Sequence, residues 1–349
     1  RHRAARPAGV PVVTRWRAAG VVGGVVGAAI GAGIAAERIA ARRLRAAPDP
    51  DTDAELRLEF DRFRRLPSHD GGEIYVVERG TGPVIVLSHG VTLSIRTWAK
   101  QFHTLVDAGF RVVAFDHRGH GESKLGESGH AIENLSADVR TVLEGLDLHD
   151  VVIVGHSMGG IATESFCIDH PDVARERVAG IVLLSSLARS PLASRPGAAN
   201  ASVWLADHLP DGAAALRARH LGLVLARLGF GRDPAPSHIE VTRQMILETS
   251  PETRRDAVAA LAGLDLSDYL GEIDRPTLII CGTSDLITPV AESRRMARRI
   301  PGAELVEVAG GGHMLMFERT DLVDAAIIEF AHLVQDSTER RHESSGPNR

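Results

Sequence analysis

The sequence predicts an α/β protein built on a mostly parallel, doubly wound sheet of about eight strands, with a helical insertion. Three observations carry that reading. Short apolar runs recur through the middle of the chain, and several are apolar throughout, as strands buried on both faces of a parallel sheet must be. Segments with apolar residues on one helical face lie between the runs, and strand alternating with helix implies right-handed crossovers. One gap is far too long to be a crossover.

In chain order the strand-like runs are Ile74–Glu78, Val84–Ser88, Arg111–Phe115, Val151–Val154, Gly180–Leu184, Thr277–Cys281 and Glu304–Val308. Leu135, Val139, Val142, Leu143 and Leu146 share one helical face, as do Val323, Ile327, Phe330 and Val334. The long gap, about residues 187–274, has helical patterns of its own at Leu221–Leu228 and Ile239–Leu247. We read it as a lid over the carboxyl edge of the sheet, where ligands of open α/β sheets bind.

This body, residues 55–334, is flanked by weaker segments. Residues 46–54 are rich in Pro and Asp and read as a linker. Residues 335–349 have no apolar period and read as a disordered tail. Residues 1–45 form a leader containing Ala18–Ala36, nineteen uncharged residues between Arg17 and Glu37. As a helix this stretch is about 28 Å long, close to the hydrocarbon thickness of a bilayer. Seven of the nineteen are Ala and six are Gly, which weakens the helix, although the G-x-x-x-G spacing at Gly23, Gly27 and Gly31 suits close helix approach in membranes. Three readings stand: a transmembrane helix at residues 18–36 giving membrane association, an export signal giving a secreted protein, and a flexible leader on a cytoplasmic one. Arginines on both sides leave the orientation open.

Composition removes several classes of function. A net charge of -5 over 349 residues argues against nucleic acid as partner, because phosphate binding needs a concentrated basic face. Aromatic content of 4% argues against stacking platforms. Two cysteines make no disulfide framework, and no Cys/His spacing suggests structural zinc. Cys167 and Cys281 fall in an expected helix and strand, as buried free thiols would.

The most informative stretch is Val151–Gly160, a buried strand running into Gly155-His156-Ser157-Met158-Gly159 and then into a helix. A turn that sharp leaves no room for side chains two residues before and two after Ser157, and it lifts the serine Oγ above the sheet edge. The bland alternative is a glycine-rich turn with an idle serine. Other motifs stand in order around it: Ser88-His89-Gly90, Asp116-His117-Arg118-Gly119-His120-Gly121-Glu122-Ser123, Gly282-Thr283-Ser284-Asp285 and Gly310-Gly311-Gly312-His313.

With these five motifs the chain resembles the α/β-hydrolase superfamily from about Phe60 to Leu333, in particular its esterase, monoacylglycerol-lipase-like and non-haem-haloperoxidase-like branches. The resemblance implies the order nucleophile, acid, base. Asp285 stands on a loop after Thr277–Cys281 and His313 on the loop after Glu304–Val308, so the implied catalytic residues are Ser157, Asp285 and His313. Asp285 could equally cap the helix that follows it. An oxyanion hole needs two backbone N–H groups: Met158 opens the helix beside the nucleophile, and Val91 follows Gly90, where the chain can fold back. His89 and His156 border this site and read as loop-shaping residues, while Asp116–Ser123 reads as a turn whose charges knit loops together.

Serine at the nucleophile position, where epoxide-opening and halide-displacing relatives carry Asp, implies an acyl-enzyme route needing neither metal nor organic cofactor. The expected substrate is a small-molecule carboxylic ester, apolar or lipidic by the apolar stripe Leu221, Leu223, Val224, Leu225 and Leu228. The alternatives are perhydrolysis, carbon–carbon hydrolysis or acyl transfer on the same residues and, more remotely, a non-catalytic membrane-tethered binding protein.

Overall fold

Within the apolar runs, alternate residues feed two separate cores. Val77, Ile85, Leu87, Val112, Val152, Val154, Val182 and Ile280 belong to one, and Val76, Val86, Val113, Ile153, Ile181, Leu183 and Ile279 to the other. Both faces of the sheet are therefore covered. Each fully buried Val, Leu or Ile contributes about 1.5–3 kcal/mol, and a one-residue slip would exchange the two sets.

A computed structural model describes residues 37–49, 51, 56–190, 213–218 and 220–345. Eight strands form one sheet: β1 (Arg62–Pro67), β2 (Glu73–Arg79), β3 (Val84–Ser88), β4 (Arg111–Phe115), β5 (Val151–His156), β6 (Val178–Leu184), β7 (Thr277–Gly282) and β8 (Glu304–Val308), in the order β1-β2-β4-β3-β5-β6-β7-β8. β2 runs antiparallel to β1 and β4, and β3 to β8 are parallel. The helix Ala99–Asp107 packs Phe102 and Leu105 on the first core, where Val323, Ile327 and Val334 of the long helix Thr320–Ser345 join it. The helices Ile132–Gly145, Met158–Asp169 and Val290–Arg299 bring Leu135, Val139, Phe166 and Met296 to the second. The chain reverses direction across the sheet at β3, so the loops after β3 and β5 share one crevice at the carboxyl edge.

Three differences from the sequence reading have physical causes. β1 gives no apolar run because it is a charged edge strand, Arg-Phe-Arg-Arg-Leu-Pro, with Leu66 its one buried residue. The expected disordered tail is helical as far as Ser345: once Val323 to Val334 nucleate the helix on the core, Glu and Arg extend it at little cost. The expected linker is docked where it is described. Asp49 accepts from the Ser237 backbone N–H at 2.8 Å and its hydroxyl at 2.6 Å, at the N-terminus of the helix Pro236–Glu248 where a carboxylate is favoured. Asp51 sits between Lys100 Nζ, at 2.8 Å, and His238 Nε2.

Between β6 and β7 the described residues are mainly helical, with helices at Ala213–Arg217, Leu221–Ala226, Pro236–Glu248 and Pro251–Ala262. Of the apolar stripe, Leu223 enters the first core while Leu221 and Leu228 are exposed. Ala18–Ala36 lies outside the described residues, and among those described no helix is long and apolar enough to cross a membrane. Cys167 and Cys281 are buried free thiols, and burial pushes the Cys167 thiol up to about 12.

Candidate active site

β5 ends at His156 and the helix Met158–Asp169 begins two residues later, so Ser157 alone turns the chain. Its φ of 52° and ψ of -116° lie where a residue with a side chain is strained, at a cost of about 1–3 kcal/mol. Neighbouring bonds hold it there. The Ser157 N–H donates to the Leu184 carbonyl at 3.0 Å, and its own carbonyl accepts from Gly160 and Ile161 N–H at 2.9 and 3.1 Å. A Cβ on Gly155 would stand 2.5 Å from the Gly159 carbonyl oxygen, and one on Gly159 2.2 Å from the Ser88 carbonyl oxygen. The two glycines are therefore required by backbone packing, as the motif implies.

Asp285 follows β7 and His313 follows β8, and the two are in contact: His313 Nδ1–H donates to Asp285 Oδ2 at 2.9 Å. Asp285 uses both oxygens. Oδ1 accepts from the Ile287 and Thr288 N–H groups at 2.8 and 2.9 Å, which fixes the turn before the helix Val290–Arg299 rather than the helix itself. Oδ2 takes His313 and the Thr288 hydroxyl, the latter at 2.6 Å. Burial opposes the charge on Asp285, but the His313 ring and the bonds from His313 and Thr288 outweigh it and hold the carboxyl below its ordinary range.

The glycine run before His313 serves close packing more than ring mobility. A Cβ on Gly312 would meet the Gly231 nitrogen at 2.1 Å, and one on Gly282 the Gly311 carbonyl oxygen at 2.3 Å. The insertion comes down here: His313 N–H donates to the Gly229 carbonyl at 3.0 Å. Glu318 binds both sides, accepting from Gly231 N–H at 2.6 Å, from Gly312 N–H at 3.1 Å and from Met314 N–H at 3.2 Å.

On the other side of Ser157, the loop after β3 passes close enough that a Cβ on Gly90 would lie 3.2 Å from Ser157 Cβ. Val91 follows, and Thr92 with φ 61° reverses the chain so that Leu93 N–H returns to the Gly90 carbonyl at 3.2 Å. Met158 is the first residue of its helix, where backbone N–H groups are left free of intrahelical bonds. His89 and His156 brace these loops. His89 Nδ1–H donates to the Gly90 carbonyl at 2.8 Å, and His156 Nε2–H to the His313 carbonyl at 3.0 Å with the two rings 4.7 Å apart. Burial, and then the His313 ring, lower His156 to about 3, so it stays neutral. Among the described residues the Ser157 hydroxyl has no hydrogen-bond partner.

Asp116–Ser123 is the knot the sequence suggests. Asp116 accepts from Ile95 and Glu122 N–H groups at 2.8 and 2.9 Å, and burial raises its carboxyl to about 7. A cleft of about 1010 Å³ beside it is lined by Ser94, Ile95, Gln244 and Met245 but not by Ser157 or His313. Sequence reasoning missed Thr288, Glu318 and the pair Glu164 and Ser186 beneath Ser157. A threonine three residues after Asp285 was the one available signal.

A family model described as alpha/beta hydrolase fold matches residues 83–320. The chain is 31% identical over 271 residues to the non-heme haloperoxidase of Rhodococcus erythropolis, covering 76% of this chain and 98% of that protein. To the bifunctional esterase/perhydrolase of Acinetobacter calcoaceticus it is 27% identical, covering 76% and 98% of the two chains. The solved structure of a thermophilic esterase from Thermogutta terrifontis, with malate bound, superposes with a TM-score of 0.66 at 29% identity over 78% of this chain and 99% of that one. Sheet order, strained turn and sequence match agree, and the chain belongs to the α/β-hydrolase superfamily.

Proposed function

We propose that this chain is a serine hydrolase that cleaves carboxylic esters with apolar acyl groups through an acyl-enzyme. The observation that carries the reading is the Asp285–His313 bond of 2.9 Å, its histidine ring 4.7 Å from that of His156, the residue before the strained Ser157. A serine hydroxyl is a poor nucleophile until a base takes its proton, and the base must be held in one tautomer. Asp285, fixed by Thr288, holds the His313 Nδ1 proton and leaves Nε2 as the base.

In the forward reaction His313 Nε2 takes the Ser157 proton while Oγ bonds to the acyl carbon. The carbonyl oxygen becomes an oxyanion received by the Met158 and Val91 N–H groups. The bond to the leaving alkoxide breaks as His313 returns the proton to it, and the alcohol departs. Water then loses a proton to His313, attacks the acyl-enzyme and releases the acid, and the proton returns to Ser157. The insertion acts as a lid, since Gly229 bonds to His313 and Thr249 Oγ1 to the Thr92 carbonyl, on opposite sides of Ser157.

Purified protein is expected to turn over p-nitrophenyl esters and to take up a fluorophosphonate probe on Ser157, both lost in Ser157→Ala. No turnover of any short or medium chain ester, with no labelling, would overturn the reading. The name of one relative, the bifunctional esterase/perhydrolase, favours a second reaction on the same residues, perhydrolysis. There peroxide replaces water in the second step, and peracid formed from a carboxylic acid and hydrogen peroxide would be the readout.

A further inference from the structure

Against the Ser157 carbonyl lies a buried polar chain that the proposed reaction does not use. Ser186, just beyond β6, places its Oγ 3.1 Å from the Ser157 carbonyl oxygen and 3.2 Å from Glu164 Oε1. Glu164 lies on the helix Met158–Asp169, fully buried, and its Oε2 has no partner. Gly160 makes room for the contact, because a Cβ there would stand 2.4 Å from Ser186 Oγ.

The proton count decides the state of this chain. The Ser157 carbonyl can only accept, and the Ser186 hydroxyl has a single hydrogen to give. For each contact to be a hydrogen bond of its own, Ser186 must donate to the Ser157 carbonyl and accept from a protonated Glu164. A protonated carboxyl satisfies the geometry; a carboxylate would compete with the Ser157 carbonyl for the same hydrogen. Burial favours the neutral form too and raises Glu164 to about 8.

A planar trans peptide links the two ends of the device. The Ser157 carbonyl and the Met158 N–H belong to one peptide plane and point in opposite directions. Whatever fixes the carbonyl from behind aims the N–H forward, toward the oxyanion. We infer that Glu164, protonated, is a positioning residue that acts through Ser186 and the Ser157 peptide to orient the Met158 N–H. This rests on the ester-hydrolase reading above. Ionised Glu164 draws the Ser186 hydrogen to itself, leaves the Ser157 carbonyl with only its two backbone donors, and sets a negative charge behind the developing oxyanion.

Few other ionisable groups bear on this one. Cys167, on the same helix, feels the Glu164 charge but stays a thiol. Asp274 and Arg275, on the segment entering β7, act on Cys167, whereas Ser186 alone opposes the effect of burial on Glu164.

The test is the pH profile of ester turnover in wild type, Glu164→Gln and Ser186→Ala, with fluorophosphonate labelling of Ser157 measured in parallel. In wild type kcat falls as pH rises through about 8, with KM unchanged. Glu164→Gln, whose amide still donates to Ser186, keeps its rate across that range. Ser186→Ala has a kcat lower by about three- to tenfold at pH 7, the value of one hydrogen bond, and an alkaline limb moved to higher pH, since the hydroxyl no longer stabilises the Glu164 charge. An alkaline limb identical in wild type and Glu164→Gln overturns the inference while leaving the hydrolase reading intact; an unlabelled, inactive wild type would fail that reading instead. Should Glu164→Gln not fold, infrared spectra of the wild type supply the second measurement. A buried carboxylic-acid carbonyl band that outlasts the titration of Asp116 near pH 7 and is lost through about pH 8 is expected, and its absence overturns the inference.

Discussion

Two buried polar groups of residues stand at the carboxyl edge of this sheet, and they differ in how fully their bonding capacity is used. The Arg118 guanidinium uses it completely. Nε and one terminal nitrogen reach the two Asp138 oxygens at 2.6 and 2.8 Å, the other reaches Asp70 at 2.8 Å and the Gly129 carbonyl at 3.0 Å, and Ser68 Oγ takes the fifth bond at 3.1 Å. Around Ser157 it is not used completely. The serine hydroxyl, His156 Nδ1 and Glu164 Oε2 lack partners among the described residues, and the Ser157 backbone is strained. A buried polar group that lacks a bond is expensive and one that has all its bonds is inert. Under the proposed reaction the saturated guanidinium serves stability, and the unsaturated group around Ser157 serves chemistry.

The largest expected effect separates the two at once. Ser157→Ala should lower kcat for ester hydrolysis by about 10⁶-fold while leaving the urea midpoint near that of wild type. Asp285→Asn comes next, with a loss of about 10⁴-fold in kcat as the amide favours the wrong His313 tautomer; retention of activity within tenfold would remove Asp285 from the role.

Arg118→Met tests the other cluster. Removing the cation leaves Asp70 and Asp138 buried without it, and urea unfolding should show a loss of about 3–5 kcal/mol with kcat per folded molecule unchanged. A large fall in kcat without a change in stability would place Arg118 in the chemistry.

Acid should weaken the fold through its buried histidines. His120 is lowered to about 4 by burial, against an unfolded value of about 6.5. The unfolded chain thus binds more protons between these values, so the His120 contribution is fully present above pH 6.5 and lost as pH falls toward 4. His89, His117 and His156 act in the same direction. Asp116 and Glu164, raised to about 7 and about 8, act the opposite way as pH rises above the ordinary carboxyl range. His120→Gln should flatten the acid slope by about 1.4 kcal/mol per pH unit, read as stability against pH. The smallest effect is expected of Thr288→Val, which strips one bond from Asp285 and should lower kcat by about tenfold with little change in KM.

The same contrast explains what the sequence could reveal. Strands β2 to β7 show through their apolar runs because both faces are buried, and the turn at Ser157 shows because Gly155 and Gly159 are required by backbone contact. Asp285 and His313 are recognisable from chain order, since each follows a strand. β1 hides because an exposed edge strand carries charge, and the Asp49 and Asp51 contacts hide because their partners Ser237 and His238 lie nearly two hundred residues away. Glu164 and Ser186 had no pattern to betray them: a glutamate in a helix reads as solvent-facing until the fold buries it.

The central claim is that Ser157 carries the acyl group. Rapid-quench mass spectrometry of the full chain with an excess of a p-nitrophenyl ester tests it most directly. The account predicts an acyl adduct mapped to Ser157, formed within one turnover and absent in Ser157→Ala. Turnover at the wild-type rate with no adduct on Ser157, or with the adduct on another residue, would contradict it.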